Sequence, residues 1–262
     1  VTVGETRSLR SVDSRSPAVT RAVFLLEELA RQGRPVGIAE LARSLDLAKS
    51  TVANLCTALE GTGMIRRVDG RWALGHKVVE LGQGYLAGTD AVEEFRRTVG
   101  TLPVASRELV VLAVLDGTEV VYLARHEGLQ SVRPACEVGM RMPAVVTALG
   151  KAVLASLPPG DLDDRLARVG ELPVLTAQSH RTFDALRGDL DVTRERGFAV
   201  DNGEYTEGVT CVGVTVPGRV GVEAPTAVGA ILLAARMTPE LRAGLVADLT
   251  ELAGVLSRPT RF

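Results

Sequence analysis

The stretch that decides the fold is "DLAKSTVANLCTALEGTGMIRR", Asp46 to Arg67. Its large apolar residues recur at Val52, Leu55, Cys56 and Leu59, the spacing of a helix with one buried face. At 100° per residue, the other face then carries Ser50, Ala53, Asn54, Thr57 and Ala58. None is bulky, and Ser50, Asn54 and Thr57 offer hydrogen-bond donors and acceptors. An ordinary solvated face holds more Glu, Lys and Arg. A face trimmed this far suits close entry into the DNA major groove, where Asn pairs bidentately with adenine and Ser or Thr meets several base edges. Lys49, Ser50 and Thr51 stand at the helix start, where free amides and the helix dipole attract phosphate.

Upstream, Ile38, Leu41, Ala42 and Leu45 repeat the same spacing, and the short turn Asp46-Leu47 joins the two segments into a helix-turn-helix. Val19 to Arg31 reads as a helix in front of them, with Val19, Ala22, Val23, Leu26 and Leu29 on one stripe. Pro17 is its start signal, and Gly33 to Pro35 its stop. Phe24 lies off that stripe, which leaves partial burial or contact with another helix or subunit. Downstream, Gly61 and Gly63 end the recognition helix. "MIRRV" and "RWALG" then read as two strands around the hairpin dipeptide Asp69-Gly70. Arg66, Arg67 and Arg71 fall on this hairpin, suited to phosphates or the minor groove. Three helices and a basic hairpin make a winged helix-turn-helix.

The whole chain has a net charge of only −2 over 262 residues, but the charge is not evenly spread. Residues 1–75 hold 11 Lys and Arg against 8 Asp and Glu, whereas residues 76–262 hold 19 against 24. That asymmetry fits a small module facing a polyanion and a larger one that does not. Residues 1–16, polar and Arg-dotted, read as a disordered arm without the order of a signal peptide. The longest apolar run, Ala227 to Ala235, falls well short of the roughly 20 residues of a membrane-spanning helix, so no membrane partner is expected. The cysteines Cys56, Cys136 and Cys211 are odd in number and lack metal-ligand spacing, which favours a reducing cytoplasm over a disulfide scaffold.

His76 to Gly88 is helical in pattern, with Val78, Leu81 and Tyr85 on one side and Val79 and Leu86 beside them. So apolar a helix between domains needs a partner, either a second copy or its own C-terminal domain. Beyond Asp90, residues 91–106 read as a helix broken near Gly100 and Pro103. "LVVLAVL-DGT-EVVYLAR" reads as a hairpin, "VVTALGKAVLASL" as a helix closed by Pro158-Pro159, and Phe183 to Arg196 as a helix stopped at Gly197. "FAVDNGEY", "GVTCVGVTV" and "TAVGAILLAAR" read as strands, with the last fully buried. Residues 216–226 connect two of them, and a final helix opens at Thr238-Pro239. "DLDD", Asp161 to Asp164, reads as a solvated helix start. Strands interleaved with helices suit an antiparallel sheet flanked by helices.

Catalytic signatures such as G-x-S-x-G, a P-loop, H-E-x-x-H and a complete G-x-G-x-x-G are missing. The histidines His76, His126 and His180 sit in unrelated contexts. Cys211 has Asp201 and Glu204 upstream but no nearby His, and reads as a buried inert thiol. His126 with Cys136 is too little for a metal site. No enzyme, metal or cofactor is expected.

The sequence resembles the IclR family of bacterial transcriptional regulators. The likeness is carried by "IAELARSLDLAKSTVANLCTALEGTGMIRRVDGRWALG" (38–75), "LDGTEVVYLARHEG" (115–128), "GMRMPAVVTALGKAVLA" (139–155) and "RERGFAVDNGEYTEGVTCVGVTV" (194–216). These blocks follow the family's order and spacing, so the resemblance spans roughly residues 17–257. It implies an α+β chain of two domains: a winged helix-turn-helix over residues 17–75, a linker helix over 76–89, and an effector-binding and oligomerisation domain over 90–262. The last would be a GAF-like α/β fold with an antiparallel sheet flanked by helices. It also implies homodimers that often pair into tetramers, placing two DNA modules on a near-palindromic operator. Ala53-Asn54 replaces the family's common His-Arg, and Ala48 its usual cap or proline, so operator sequence does not carry over.

Transferred position by position, the family's effector pocket falls on Ala148, Leu149, Asp201, Cys211, Leu232 and Ala234, with Met142 and Val145 as further walls. Members that bind small carboxylic acids tend to have Ser at the last two of the six. Here both are apolar, which implies an acid larger and less polar than glyoxylate or pyruvate, aromatic or branched. Backbone amides at the helix start remain able to hold its anion. Two alternatives stand beside it. Apolar substitution could fill the cavity, and regulation could run through oligomerisation or protein partners without a small molecule.

Overall fold

This computed structural model describes residues 15–87, 90–131, 134–218 and 224–257. The arm expected over 1–16 falls outside them except for its last two residues, and the 216–226 connection falls outside them at 219–223. The chain divides into two compact units, residues 1–88 and 89–262.

In the first unit, α1 (Pro17–Gln32) begins on Pro17 and ends at Gly33, whose left-handed φ of 61° lets its amide close on the Leu29 carbonyl. The buried face of α1 differs from the sequence reading. Phe24, Leu25, Glu28 and Leu29 turn inward, while Val19 and Val23 are 62% and 47% exposed. The helix carries two apolar stripes, and burying an aromatic ring with a leucine removes more apolar surface than burying two valines. Phe24 thus belongs to the unit's own core. Glu28 is buried with it, and Arg31 and Gln32 bind its carboxylate at 2.6–2.8 Å.

Helices α2 (Ile38–Ser44) and α3 (Lys49–Gly61) form the helix-turn-helix, with Asp46 at the turn in a left-handed φ of 52°. Strands β1 (Ile65–Val68) and β2 (Arg71–Leu74) pair antiparallel. Their turn residues Asp69 and Gly70 both have positive φ, 50° and 74°, as a two-residue hairpin of matching twist requires. Trp72 exchanges two 2.8 Å backbone hydrogen bonds with Val36. Its ring joins Phe24, Leu25, Leu41, Val52, Cys56 and Ile65 in the core. Helix α4 (Lys77–Ala87) follows, with Val79, Leu81 and Tyr85 exposed.

The second unit opens with α5 (Asp90–Val99), which stops just before Gly100. Six strands then build one antiparallel sheet: β3 (Leu109–Asp116), β4 (Glu119–His126), β5 (Arg141–Pro143), β6 (Ala199–Asn202), β7 (Val209–Val216) and β8 (Thr226–Leu233), in the order β5-β4-β3-β8-β7-β6. Helices α6 (Ala148–Ser156) and α8 (Phe183–Arg196) layer over one face, with α7 (Pro159–Val169) supplying Leu162 and Leu166. Helices α5 and α9 (Pro239–Leu256) pack on the sheet as well, outside that core. Two sequence expectations are refined. The 145–157 segment is a tight turn over Ala144–Val146 followed by α6, because the Thr147 hydroxyl caps the Gly150 amide and fixes the helix start there. The strand read over 226–236 ends at Leu233 and passes into a tight turn over Ala234–Arg236.

Candidate DNA-binding surface and effector site

On α3, Val52 and Cys56 are buried, with Leu55 and Leu59 packed at the edge of the core. This leaves Ser50, Asn54, Thr57 and Ala58 exposed and Ala53 half-buried. The Thr57 hydroxyl donates to the Ala53 carbonyl at 3.0 Å, so it can still accept a bond from outside. Ala48 stands at the N-cap position without a side-chain cap, so the first-turn amides at Lys49, Ser50 and Thr51 stay open to an anion.

The three wing arginines share a hairpin but keep different company. The Arg67 guanidinium lies 4.5 Å from the centre of the Trp72 ring and 3.3 Å from Glu60. Arg71 is 3.9 Å from Glu40, a carboxylate that Arg34 also grips. Among the described residues, Arg66 has no ion-pair or ring partner, so its charge is the one fully available. At the wing root a cavity of about 420 Å³ is lined by Arg66, Arg67 and Lys77, but also by Glu60 and Glu80. Its mixed charge makes it a poor anion site.

In the second unit, Met142, Val145, Ala148, Leu149 and Cys211 meet in one core beneath α6. Asp201 pairs with Cys211 and Cys211 with Ile231 across the sheet, which sets the three in a row. Asp201 is buried, and its carboxylate accepts the Glu204 amide at 2.7 Å. Burial raises its pKa to about 6, against the pull of its backbone hydrogen bonds. Burial likewise pushes the Cys211 thiol well up and that of Cys136 to about 12, which leaves both as unreactive thiols.

Leu232 and Ala234 do not join this row. Ala227 and Ile231 face α6, and a Cβ on Gly229 would lie 2.9 Å from Leu149, so by alternation Leu232 points to the opposite face. Ala234 lies past the strand end and lines a separate cavity of about 450 Å³ with Gln178, Asn202 and Val209. The β8 position on the α6 face, paired with Cys211, is Ile231, one residue earlier. Tyr122, which was not singled out from sequence, and Cys136, which was read only as a weak metal candidate, also enter this core. The signal for Tyr122 was its alternation with Val120 on β4. Among the described residues its hydroxyl bonds only the Met142 sulfur, at 3.8 Å. His126 instead bonds the Ser106 carbonyl at 2.7 Å, and it forms no three-ligand group with Cys136 among the described residues.

A helix-turn-helix with an open, small-residue recognition face and a wing, in one chain with an antiparallel α/β unit, defines a DNA-binding transcriptional regulator. The particular family follows from comparison with known proteins. Residues 18–69 match the IclR helix-turn-helix domain, and residues 83–258 match the family described as bacterial transcriptional regulator IclR C-terminal. The chain belongs to the IclR family. It is 30% identical to the transcriptional regulator XynR of Escherichia coli K12, covering 76% of this chain and 79% of that one. It is 28% identical to the transcriptional repressor AllR of Klebsiella pneumoniae, covering 88% and 85%. The crystal structure of Thermotoga maritima IclR superposes with a TM-score of 0.72 at 28% identity, over 92% of this chain and 97% of that one. These relatives are named as regulators of transcription, not as enzymes, and among the described residues no helix is long and apolar enough to cross a membrane.

Proposed function

We propose that α3 reads operator DNA through Ser50, Asn54 and Thr57, and that an organic acid bound under α6 controls that reading. Support for the first part is the exposure of all three side chains on a helix whose opposite face, Val52, Leu55, Cys56 and Leu59, packs into the core. Lys49, Thr51 and the three wing arginines would hold phosphates, with Arg66 foremost. The exposed apolar positions on α1 and α4, Val19, Val23, Val79 and Leu81, favour a homodimer through this unit. A dimer presents two recognition helices to a near-palindromic site. Residues 76–89 then act as linker and dimer helix, and residues 90–262 as sensor.

Support for the effector is one observation: polar groups gathered inside an apolar core. Tyr122, Cys136, Asp201 and Cys211 cluster beneath α6, and among the described residues the Tyr122 hydroxyl has only a thioether, a weak acceptor. Thr147 caps the Gly150 amide and leaves those of Ala148 and Leu149 uncapped at the helix start, suited to a carboxylate. Met142, Val145 and Ile231 would enclose a ring or a branched chain.

A second reading rests on an equally specific observation. Met142, Val145, Ala148, Leu149 and Cys211 are all buried among one another's side chains in the core under α6. On this reading oligomerisation or a protein partner does the switching. A thermal-shift and calorimetry panel of benzoate, 3-methylbutanoate and glyoxylate separates the two. Stabilisation by the larger acids and not by glyoxylate supports the first, and Tyr122→Phe should weaken it about tenfold. Tight glyoxylate binding overturns the size argument. No stabilisation by any acid, with DNA binding intact, supports the second.

A further inference from the structure

At the Asp201 end of the row Asp201–Cys211–Ile231, four charged or ionisable side chains from four segments converge. Lys151 of α6 is fully buried. Its ammonium donates to Asp189 of α8 at 2.6 Å, to Glu204 Oε1 at 2.5 Å and to the Val200 carbonyl at 2.7 Å. His180, on the loop before α8, places Nε2 3.2 Å from Asp189 Oδ2 and 3.6 Å from Glu204 Oε2. That loop is buckled onto the β6–β7 turn. Ser179 donates to the Glu204 carbonyl, and Thr176 to that of Gly203, each at 2.7 Å.

One atom in this group makes no hydrogen bond among the described residues, and its ionisable neighbour is His180 Nε2, 3.6 Å away. Glu204 is only 6% exposed, and its Oε2 is buried without any hydrogen-bond partner among the described residues. An unpaired carboxylate oxygen in that position is costly, and a cation beside it removes the cost. We propose that His180, Asp189 and Glu204 form a binding site for a divalent transition-metal ion of the zinc class.

The geometry fits such an ion. Metal bonds of about 2.1 Å in tetrahedral array put neighbouring ligand atoms about 3.4 Å apart. The two edges that meet at His180 Nε2, 3.2 and 3.6 Å, bracket that value, and all three ligand atoms lie within 4.8 Å of one another. Lys151 engages the other oxygen of Glu204, which leaves Oε2 to face the ion. It also donates at 2.6 Å to Asp189 Oδ2, so that oxygen would bind the ion through its second lone pair. Lys151 and the two carboxylates sum to a single negative charge, enough to attract a divalent ion and too little to bind it as tightly as an unshared acidic pair. One nitrogen with two oxygens selects zinc or cobalt over magnesium or calcium, which prefer oxygen alone. His180 and Asp189 are about one-fifth exposed, which gives the ion a way in and room for a water as its fourth ligand. The Glu204 amide holds Asp201, so an ion here would also stiffen a wall of the candidate effector site. The binding itself depends on neither effector nor DNA.

The test is calorimetry on full-length protein stripped with a chelator and titrated with zinc chloride, then with magnesium and calcium chloride. One zinc per chain is expected, with little heat from the other two ions. His180→Ala, its fold checked by circular dichroism, should weaken zinc binding at least about tenfold. The His76→Ala, His126→Ala double variant should leave it unchanged. Cobalt bound to the wild type should give a visible absorption spectrum that His180→Ala loses. Absence of stoichiometric zinc binding overturns the proposal, and so does zinc binding that His180→Ala leaves intact or that the double variant abolishes.

Discussion

The outward face of α3 and the sheet face under α6 are both candidate binding surfaces, but they are built on opposite terms. On α3 the helix buries one side and frees the other, so the side chains that contact a partner contribute little to the core. Under α6 every candidate that faces the site is also core. A change on α3 should therefore alter recognition and spare the fold, whereas a change under α6 should disturb both. The difference follows from geometry: a helix surface separates binding from packing, and a helix laid directly on strands does not.

The largest effect should come from breaking the closer of the two arrangements. A Cβ on Gly213 would fall 2.6 Å from the Ala148 carbonyl oxygen, backbone against backbone, where no side chain can yield. Gly213→Val should cost about 4 kcal/mol or more and leave the second unit largely unfolded by circular dichroism. The matching change on α3, Gly61→Ala, meets nothing within 4 Å and should stabilise by at most about 1 kcal/mol. Equal melting of Gly213→Val and wild type would show that α6 does not rest on β7.

The same contrast explains what could be read beforehand. Around α3, the spacing of Val52 and Cys56 together with a 100° rotation located the free face, and Asp69-Gly70 located the wing turn. Local chemistry was sufficient there. Under α6 the candidates were transferred from the family by position, and strand register decides which face each one takes: Ile231 lies on the α6 face of β8 and Leu232 on the other. Choosing between the two stripes of α1 required knowing how much area Phe24 would bury in the finished core. His180 and Glu204 are 24 positions apart and meet where Ser179 and Thr176 fasten two loops together and Lys151 bridges Asp189 and Glu204. No local pattern in the sequence encodes that meeting.

Next in size is a packing term inside the DNA unit. Burial alone would raise the Glu28 pKa, but hydrogen bonds from Arg31, Gln32 and Ser44 outweigh it and bring the carboxyl down to about 2. A carboxyl lowered on folding contributes stability that is present above its unfolded pKa near 4.5 and is lost as the pH falls toward 2. Glu28→Gln should therefore cost on the order of 2 kcal/mol at pH 7 and almost nothing near pH 2. Trp72 is the chain's single tryptophan and sits in this core, so its fluorescence in urea titrations reports on this unit. A pH-independent difference between variant and wild type would rule out the linkage.

Asn54→Ala tests recognition without touching the core. It should cost about 1–3 kcal/mol on the native operator and relax preference at one base pair, with no change in Trp72 unfolding. Competition gel shifts with single-base operator variants measure both quantities. An unchanged shift on the native operator would remove α3 from the reading of bases.

The smallest effect separates two neighbouring arginines. Arg66 has no ion-pair or ring partner among the described residues, so Arg66→Ala should weaken binding to all sequences about equally and lower the slope of log affinity against log salt by about one unit. Arg67 already spends its charge on Glu60 and the Trp72 ring, and must give up both contacts to reach a phosphate. Arg67→Ala should therefore lower the slope by clearly less than one unit, and instead shift the Trp72 fluorescence by baring one face of its ring. Salt titrations of both variants on one operator decide the matter. Equal slopes would mean that Arg67 leaves Trp72 when DNA arrives, and that the wing rearranges on binding while the α3 face stays as it is.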